Sequence, residues 1–187
     1  MSGKELKTIQ LGGGRTFTVA MHDLLNENVD CIVNAANGML AHGGGVAAAI
    51  SMGAGRDLDR EGRRIVQERG AIPTGEAVVT TAGKLKFKGV IHAVGPRQGE
   101  GNEEAKLIRA LTSAFLRASE RGWISLSFPA VSSGIFAVPL PVCARAYWQA
   151  VKEFLAEHPD SSLKTIRLVL YPGPLMDEVL KVLEEAH

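Results

Sequence analysis

The amino-acid sequence predicts an α/β fold, a three-layer α/β/α sandwich on a mixed, mostly parallel central sheet. Three observations carry that reading. From Val29 onward, short apolar runs alternate with longer segments of helical periodicity, the pattern of strands joined by crossover helices. Val29–Ala35 (VDCIVNA) and the later runs are too apolar to present a wetted face, so helices are expected on both sides of one sheet. Ahead of them, Lys7–Leu11 and Thr16–His22 flank Gly12-Gly13-Gly14. Glycines accept the positive φ of a tight turn, so this reads as an antiparallel hairpin at one sheet edge.

The elements follow in order. A short small-residue helix is expected at Val46–Met52 and a charged helix at about Asp57–Arg69. Glu76–Thr81 and Gly89–Val94 read as the next two strands. Asn102 is placed to cap a helix at Glu103–Arg121, with Glu103 and Glu104 in its positive first turn. Leu107, Leu111, Phe115 and Ala118 form its apolar stripe. Ile124–Val131 is the next strand, and Pro139–Glu157 is a helix with Val142, Ala146, Ala150 and Phe154 at helical spacing. A strand at Thr165–Tyr171 and a helix at about Leu175–Ala186 complete the pattern. No repeat or low-complexity linker interrupts the 187 residues, so one domain over 1–187 is expected.

Composition excludes several classes of function. With 21 basic and 20 acidic residues interspersed, the net charge of +1 gives no electrostatic footprint for duplex nucleic acid or an anionic membrane. Aromatics at 5% argue against a broad base-stacking platform. Cys31 and Cys143 stand alone, without zinc-ligand spacing, so no metal site is expected. Isolated thiols and the absence of a signal-like N-terminus fit a cytoplasmic protein, or a nuclear one in a eukaryote. No apolar stretch reaches the roughly 18 residues a membrane span needs. A monomer is expected.

In such sheets ligands bind beyond the carboxyl ends of the strands. After Ala35 comes Ala36-Asn37-Gly38-Met39-Leu40-Ala41-His42-Gly43-Gly44-Gly45-Val46, opening a helix. Glycines there allow close backbone approach, and a helix N-terminus offers N–H groups to an anion. The dipole contributes only about 0.3–1 kcal/mol, up to ~2 when partly buried, against about 8 kcal/mol for a micromolar ligand. A second loop, Val131-Ser132-Ser133-Gly134-Ile135-Phe136, is positioned to supply more donors. Singly, each loop also reads as an ordinary turn; together, at one end of the sheet, they favour a phosphate cleft.

Gly43-Gly44-Gly45-Val46-Ala47-Ala48 matches the dinucleotide pattern GxGxxG/A. In that motif the strand runs directly into the first glycine, whereas Ala36–His42 intervenes here. A nicotinamide dehydrogenase is therefore disfavoured. Gly83-Lys84-Leu85 fails as a phosphate-binding P-loop, and no GxSxG elbow is present.

The run Val33-Asn34-Ala35-Ala36-Asn37, then His42-Gly43-Gly44-Gly45-Val46, resembles the first signature of the macrodomain family of ADP-ribose-binding modules. Ile91-His92-Ala93-Val94-Gly95-Pro96 and Pro129-Ala130-Val131-Ser132-Ser133-Gly134-Ile135-Phe136 resemble its later signatures. The His-Gly-Gly-Gly-Val form is similar to macrodomains of poly-ADP-ribose-polymerase-like antiviral proteins and of viruses. The resemblance implies the same α/β/α fold and ADP-ribose as ligand, with no cofactor.

It also implies roles for residues. Asp23, beside Leu24, would accept from the adenine amino group, and Tyr171 would stack on the base. Ala35, Gly44, Gly45 and Val46 would line one phosphate, and Ser132, Ser133, Gly134 and Ile135 the other. Asn37 would hold the distal ribose, with Phe136 as its wall. Each has a structural alternative: a turn acceptor for Asp23, a local turn bond for Asn37, a strand-end Tyr, a loop-base Phe. His92, mid-strand, reads as structural, and Cys143 and Met52 as packing.

Macrodomains divide into readers and hydrolases of ADP-ribosyl groups. One hydrolase branch has an aspartate after the glycines and then a helix His, where this chain has Ala47 and Ser51. Asn37, His42 and Phe136 match the branch that lacks the aspartate, and are the expected catalytic residues. A ligand phosphate would position the water while His42 orients or polarises near the scissile bond; the alternative for His42 is a surface loop histidine. The expected activity is removal of mono-ADP-ribose from acidic side chains of proteins, so ADP-ribosylated proteins are the expected partners. A non-catalytic reader, or a hydrolase of small ADP-ribose derivatives such as O-acetyl-ADP-ribose or ADP-ribose 1''-phosphate, is the alternative.

Overall fold

The computed structural model describes residues 3–186. Strand β1 (Lys4–Gln10) turns through the three glycines into β2 (Thr16–Met21), antiparallel, with Ile9 opposite Phe17. A single 3-10 turn, Leu24–Asn26, leads to β3 (Cys31–Ala36). Helices α1 (Gly45–Ala54) and α2 (Arg56–Arg69) follow, then β4 (Ala77–Thr80) and β5 (Gly89–Val94). The rest is α3 (Glu103–Glu120), β6 (Ser125–Phe128), α4 (Leu140–Glu157), β7 (Thr165–Leu170) and α5 (Pro174–Glu185).

Among the described residues the strands form one seven-stranded sheet in the order β1-β2-β7-β6-β3-β5-β4. β2, β7, β6, β3 and β5 run parallel. The expected antiparallel hairpin occupies one edge, and β4 adds a second antiparallel edge, Val79 facing Ile91. The short β4–β5 connection, 81–88, is what permits that reversal, since a parallel pair needs a crossover of a dozen or more residues.

Side-chain alternation divides the core. Val33, Ile91, Leu126 and Leu168 face the layer of α3, α4 and α5, while Ile32, Val90 and Val169 face α1 and α2. The first face holds most of the buried aromatics: Phe128 lies edge-on to Phe115 and Tyr147, at 5.7 and 5.8 Å between ring centres. Each such fully buried ring contributes about 1.5–3 kcal/mol relative to exposure.

Two expectations are corrected in detail. Asn102 does cap α3 by position, but it sits in the left-handed region (φ 54°) and its side chain makes no cap bond. The Glu103 carboxylate instead accepts from the N–H groups of Gly99 and Gly101 at 2.9 and 3.0 Å, which holds its pKa low. The sixth strand ends at Phe128 rather than at Val131, because Pro129 has no N–H to give the ladder. The chain after Phe128 is thereby released as loop.

Candidate functional site

β7, β6 and β3 are neighbours in the parallel sheet, so their carboxyl ends come together. The first loop, 37–44, leaves β3, and the second, 129–139, leaves β6. Between them lies a cleft of two contiguous hollows, of about 360 and 200 Å³, which share Ala35, Val46, Ala130 and Gly134 as walls. The larger hollow contains Asn37, Gly43–Ala47, Arg97 and Phe136; the smaller contains His22, Leu24, Ser133 and Tyr171.

The first loop is set by its own polar groups. Asn37 Oδ1 accepts from the N–H groups of Met39 and Ala41, and its Nδ2 donates to the Ala41 carbonyl at 2.8 Å. This local turn commits the Asn37 side chain to the loop even as the residue lines the cleft. Leu40 is buried at φ 53°. Position 38 must be glycine, because a Cβ there would come 2.7 Å from the Ile72 carbonyl oxygen.

Gly44 precedes α1 without a side-chain cap. The N–H groups of Gly45, Val46 and Ala47 therefore lack intrahelical partners, and all three residues line the cleft. Across it, the N–H groups of Gly134, Ile135 and Phe136 have no hydrogen-bond partner among the described residues. Two facing sets of free donors form an anion cradle. Space is left for a ligand: a Cβ on Gly43, Gly44, Gly45 or Gly134 would meet nothing within 4 Å.

The second loop is tied down firmly. Ser132 takes φ 68° and Ala137 φ 58°. Together with Leu40, they are three of the four non-glycine residues with positive φ among the described residues. Such conformations cost of order 1–3 kcal/mol and persist where surroundings over-determine them. Here the Ser132 hydroxyl donates to the Pro96 carbonyl (2.8 Å), Val138 N–H to the Ser132 carbonyl (3.0 Å), and Gln98 N–H to the Phe136 carbonyl (2.8 Å). The Ser132 side chain is thus buried structure rather than an exposed donor, and Ser133 Oγ donates to the Ala130 carbonyl. Ile135 stands 91% exposed at the rim.

Tyr171 is 68% exposed and lines the smaller hollow with Leu24. Asp23 Oδ1 accepts from Leu25 N–H at 3.0 Å, starting the 3-10 turn. Asp23 itself is not among the lining residues, although both its neighbours are.

His42 is where the expectation must be corrected. Its side chain is 4% exposed and is not a wall of either hollow. It packs inward against His92 with ring centres 5.3 Å apart. Asn34 Nδ2 lies 3.3 Å from His42 Nδ1 and 3.0 Å from His92 Nδ1. Thr80 Oγ1 gives its hydrogen to the Thr81 carbonyl, so it accepts from His92 Nε2–H at 2.8 Å. His92 Nδ1 is then the acceptor of the Asn34 amide. The same amide makes His42 Nδ1 an acceptor and leaves its Nε2, without a hydrogen-bond partner, 3.9 Å from Asp59. Burial, with His42 adjacent, depresses the His92 pKa to about 3. Burial lowers that of His42 too, with Asp59 in partial opposition. A neutral imidazole facing away from the cleft cannot polarise a substrate bond there. The polar residue Asn34 within the apolar strand was the sequence signal for this buried chain.

Arg97 is the lining residue that motif reading missed. Its guanidinium lies over the Phe136 ring, 4.7 Å from the centre, a cation–π contact. Ala47 lines the larger hollow, and Ser51 donates to Asp59 at 2.8 and 2.9 Å. The place of the family's aspartate therefore holds only a methyl group.

The Macro domain family model matches residues 33–147, which contain both loops. The chain belongs to the Macro domain family. A Thermotoga maritima protein is 46% identical over 92% of this chain, which spans 28% of that protein's length. An O-acetyl-ADP-ribose deacetylase of Escherichia fergusonii is 39% identical over 75% of this chain and 80% of its own length. Among solved structures, a variant of the Oceanobacillus iheyensis macrodomain with ADPR superposes with a TM-score of 0.88. It is 25% identical, with 96% of this chain and 97% of that one covered. Among the described residues of this macrodomain no group of three or more His, Cys, Asp or Glu has metal-binding geometry, and no helix is long and apolar enough to cross a membrane.

Proposed function

We propose that this macrodomain binds ADP-ribose and removes mono-ADP-ribose esterified to acidic side chains of proteins. The observation that carries the reading is the pair of free N–H sets, at Gly45–Ala47 and Gly134–Phe136, facing each other across one cleft. A diphosphate is the ligand such a double cradle suits. The adenine then lies toward Tyr171 and the distal ribose toward Asn37 and Phe136. With Ala47 unable to act as a base, a ligand phosphate positions the attacking water, and a carboxylate leaving group needs little acid assistance. Asn37 acts by shaping the first loop around the distal ribose.

A second reading, hydrolysis of small ADP-ribose esters, is favoured by the similarity to the deacetylase of Escherichia fergusonii. A reader without turnover is the third. Calorimetry with ADP-ribose against AMP and NAD tests binding, and absence of ADP-ribose binding overturns all three. Release of label from auto-modified protein against release of acetate from O-acetyl-ADP-ribose separates the rest. Asn37→Ala is expected to abolish turnover, and unchanged activity would remove Asn37 from the mechanism.

A further inference from the structure

Among the described residues lining the two hollows, Arg97 is the sole Lys or Arg. It lines the larger hollow, with Asn37 and Phe136, and not the one that contains Tyr171. Among the described residues the guanidinium forms no ion pair, and its contact is the face of Phe136. Its backbone is nonetheless fixed on both sides. The Pro96 carbonyl accepts from Ser132 Oγ, Gln98 N–H donates to the Phe136 carbonyl, and Arg97 N–H donates to Glu100 Oε1 at 3.1 Å. An uncommitted cation is thus held on the same clamp that shapes the second loop, at the end of the cleft away from the base.

We propose that Arg97 is a specificity-determining residue that recognises negative charge on the group attached to the distal ribose; this rests on the ADP-ribose reading above. A planar guanidinium on an aromatic face keeps its N–H edge free for two oxyanion oxygens. Two sources supply such oxygens. In de-esterification the ribose C–O bond breaks with its electron pair going to the carboxylate, while water gives the ribose carbon a hydroxyl and solvent a proton. A phosphate on the same carbon carries its charge before any bond breaks.

The two sources separate in the measurement. Calorimetry compares ADP-ribose with ADP-ribose 1''-phosphate on wild type, Arg97→Gln and Arg97→Lys; single-turnover release compares kcat on protein esterified with ADP-ribose. For phosphate recognition, wild type prefers the phosphorylated ligand by about tenfold. Arg97→Gln erases that preference, Arg97→Lys retains part of it, and ADP-ribose affinity stays unchanged. For carboxylate recognition, Arg97→Gln lowers kcat about tenfold with ADP-ribose affinity intact, since the charge appears only in the transition state. The proposal is overturned if neither quantity moves, or if both ligands weaken in parallel. Failure of wild type to bind ADP-ribose instead removes the underlying reading.

Discussion

The Tyr147 hydroxyl on α4 donates a 2.6 Å hydrogen bond to the carbonyl of Val131, directly before the left-handed Ser132. Both residues are buried. A helix on one face of the sheet thereby holds the base of a loop that forms half the cleft. Burial raises the Tyr147 pKa well above its ordinary value, so the phenol remains a donor at any physiological pH.

Tyr147→Phe is accordingly expected to do two things. Leaving the buried Val131 carbonyl unpaired costs about 1–3 kcal/mol of stability, readable as a lower urea midpoint with unchanged slope. Loosening the loop weakens ADP-ribose binding several-fold, readable by calorimetry. A loss of stability with full affinity would mean that the loop's other bonds, from Ser132 to Pro96 and from Gln98 to Phe136 among them, shape it without Tyr147.

Two glycines, one in the second loop and one packed against it, predict opposite outcomes. Gly134 faces open cleft with nothing within 4 Å of a Cβ, and its backbone is not left-handed. Gly134→Val is expected to leave stability within about 0.5 kcal/mol while weakening ADP-ribose by at least about tenfold, because its methyl groups occupy ligand space. At Gly95 a Cβ would lie 2.3 Å from Ser132 Oγ and 2.9 Å from Val131 Cγ1. Gly95→Ala is expected to destabilise by about 1–3 kcal/mol through overpacking. Thermal melts beside calorimetry check both. Equal destabilisation by the two would contradict the loop geometry.

These loops also mark what sequence conveys. Gly89–Val94 was legible as an interior strand because Ile91 and Ala93 on one face and Val90 and Val94 on the other are apolar, and it is observed at its expected bounds. The reversal of β4 was not, since apolar residues with a short connection fit either direction until register is known. Loop glycines announced the cleft, as they let backbone approach a ligand closely. The turn bond of Asn37 was one of its two readings, but the direction of His42, inward to Asn34 and Asp59, was beyond reach. The His42 orientation depends on Asn34 and Asp59, which the fold rather than local spacing brings to it. Arg97 escaped notice because one arginine after Gly-Pro carries no signature; only its place over Phe136 distinguishes it.

The buried polar groups determine how the fold meets acid. His92 and His42 are neutral in the native state, with pKa values depressed by burial. Glu27 is depressed as well: bonds from Arg167, Ser127 and His22 outweigh the burial that alone would raise it. Arg167 Nε and Ser127 Oγ each lie 2.6 Å from Glu27 Oε1, and His22 Nδ1 lies 2.6 Å from Oε2. For each group the unfolded chain takes up its proton first as pH falls, so stability rises with pH across the window. The histidines begin to lose stability below their unfolded value of 6.5, and His92 continues toward about 3. Glu27 joins below its unfolded value of 4.5. Urea unfolding between pH 7.5 and 4.5 is expected to show a slope approaching about 1.4 kcal/mol per pH unit from His92, with His42 adding in the same direction. His92→Gln, which keeps polar bonds without titrating, is expected to flatten that slope even if it lowers stability throughout. A slope unaltered by His92→Gln would assign the acid sensitivity elsewhere, and no slope above pH 5 would contradict the neutral buried pair.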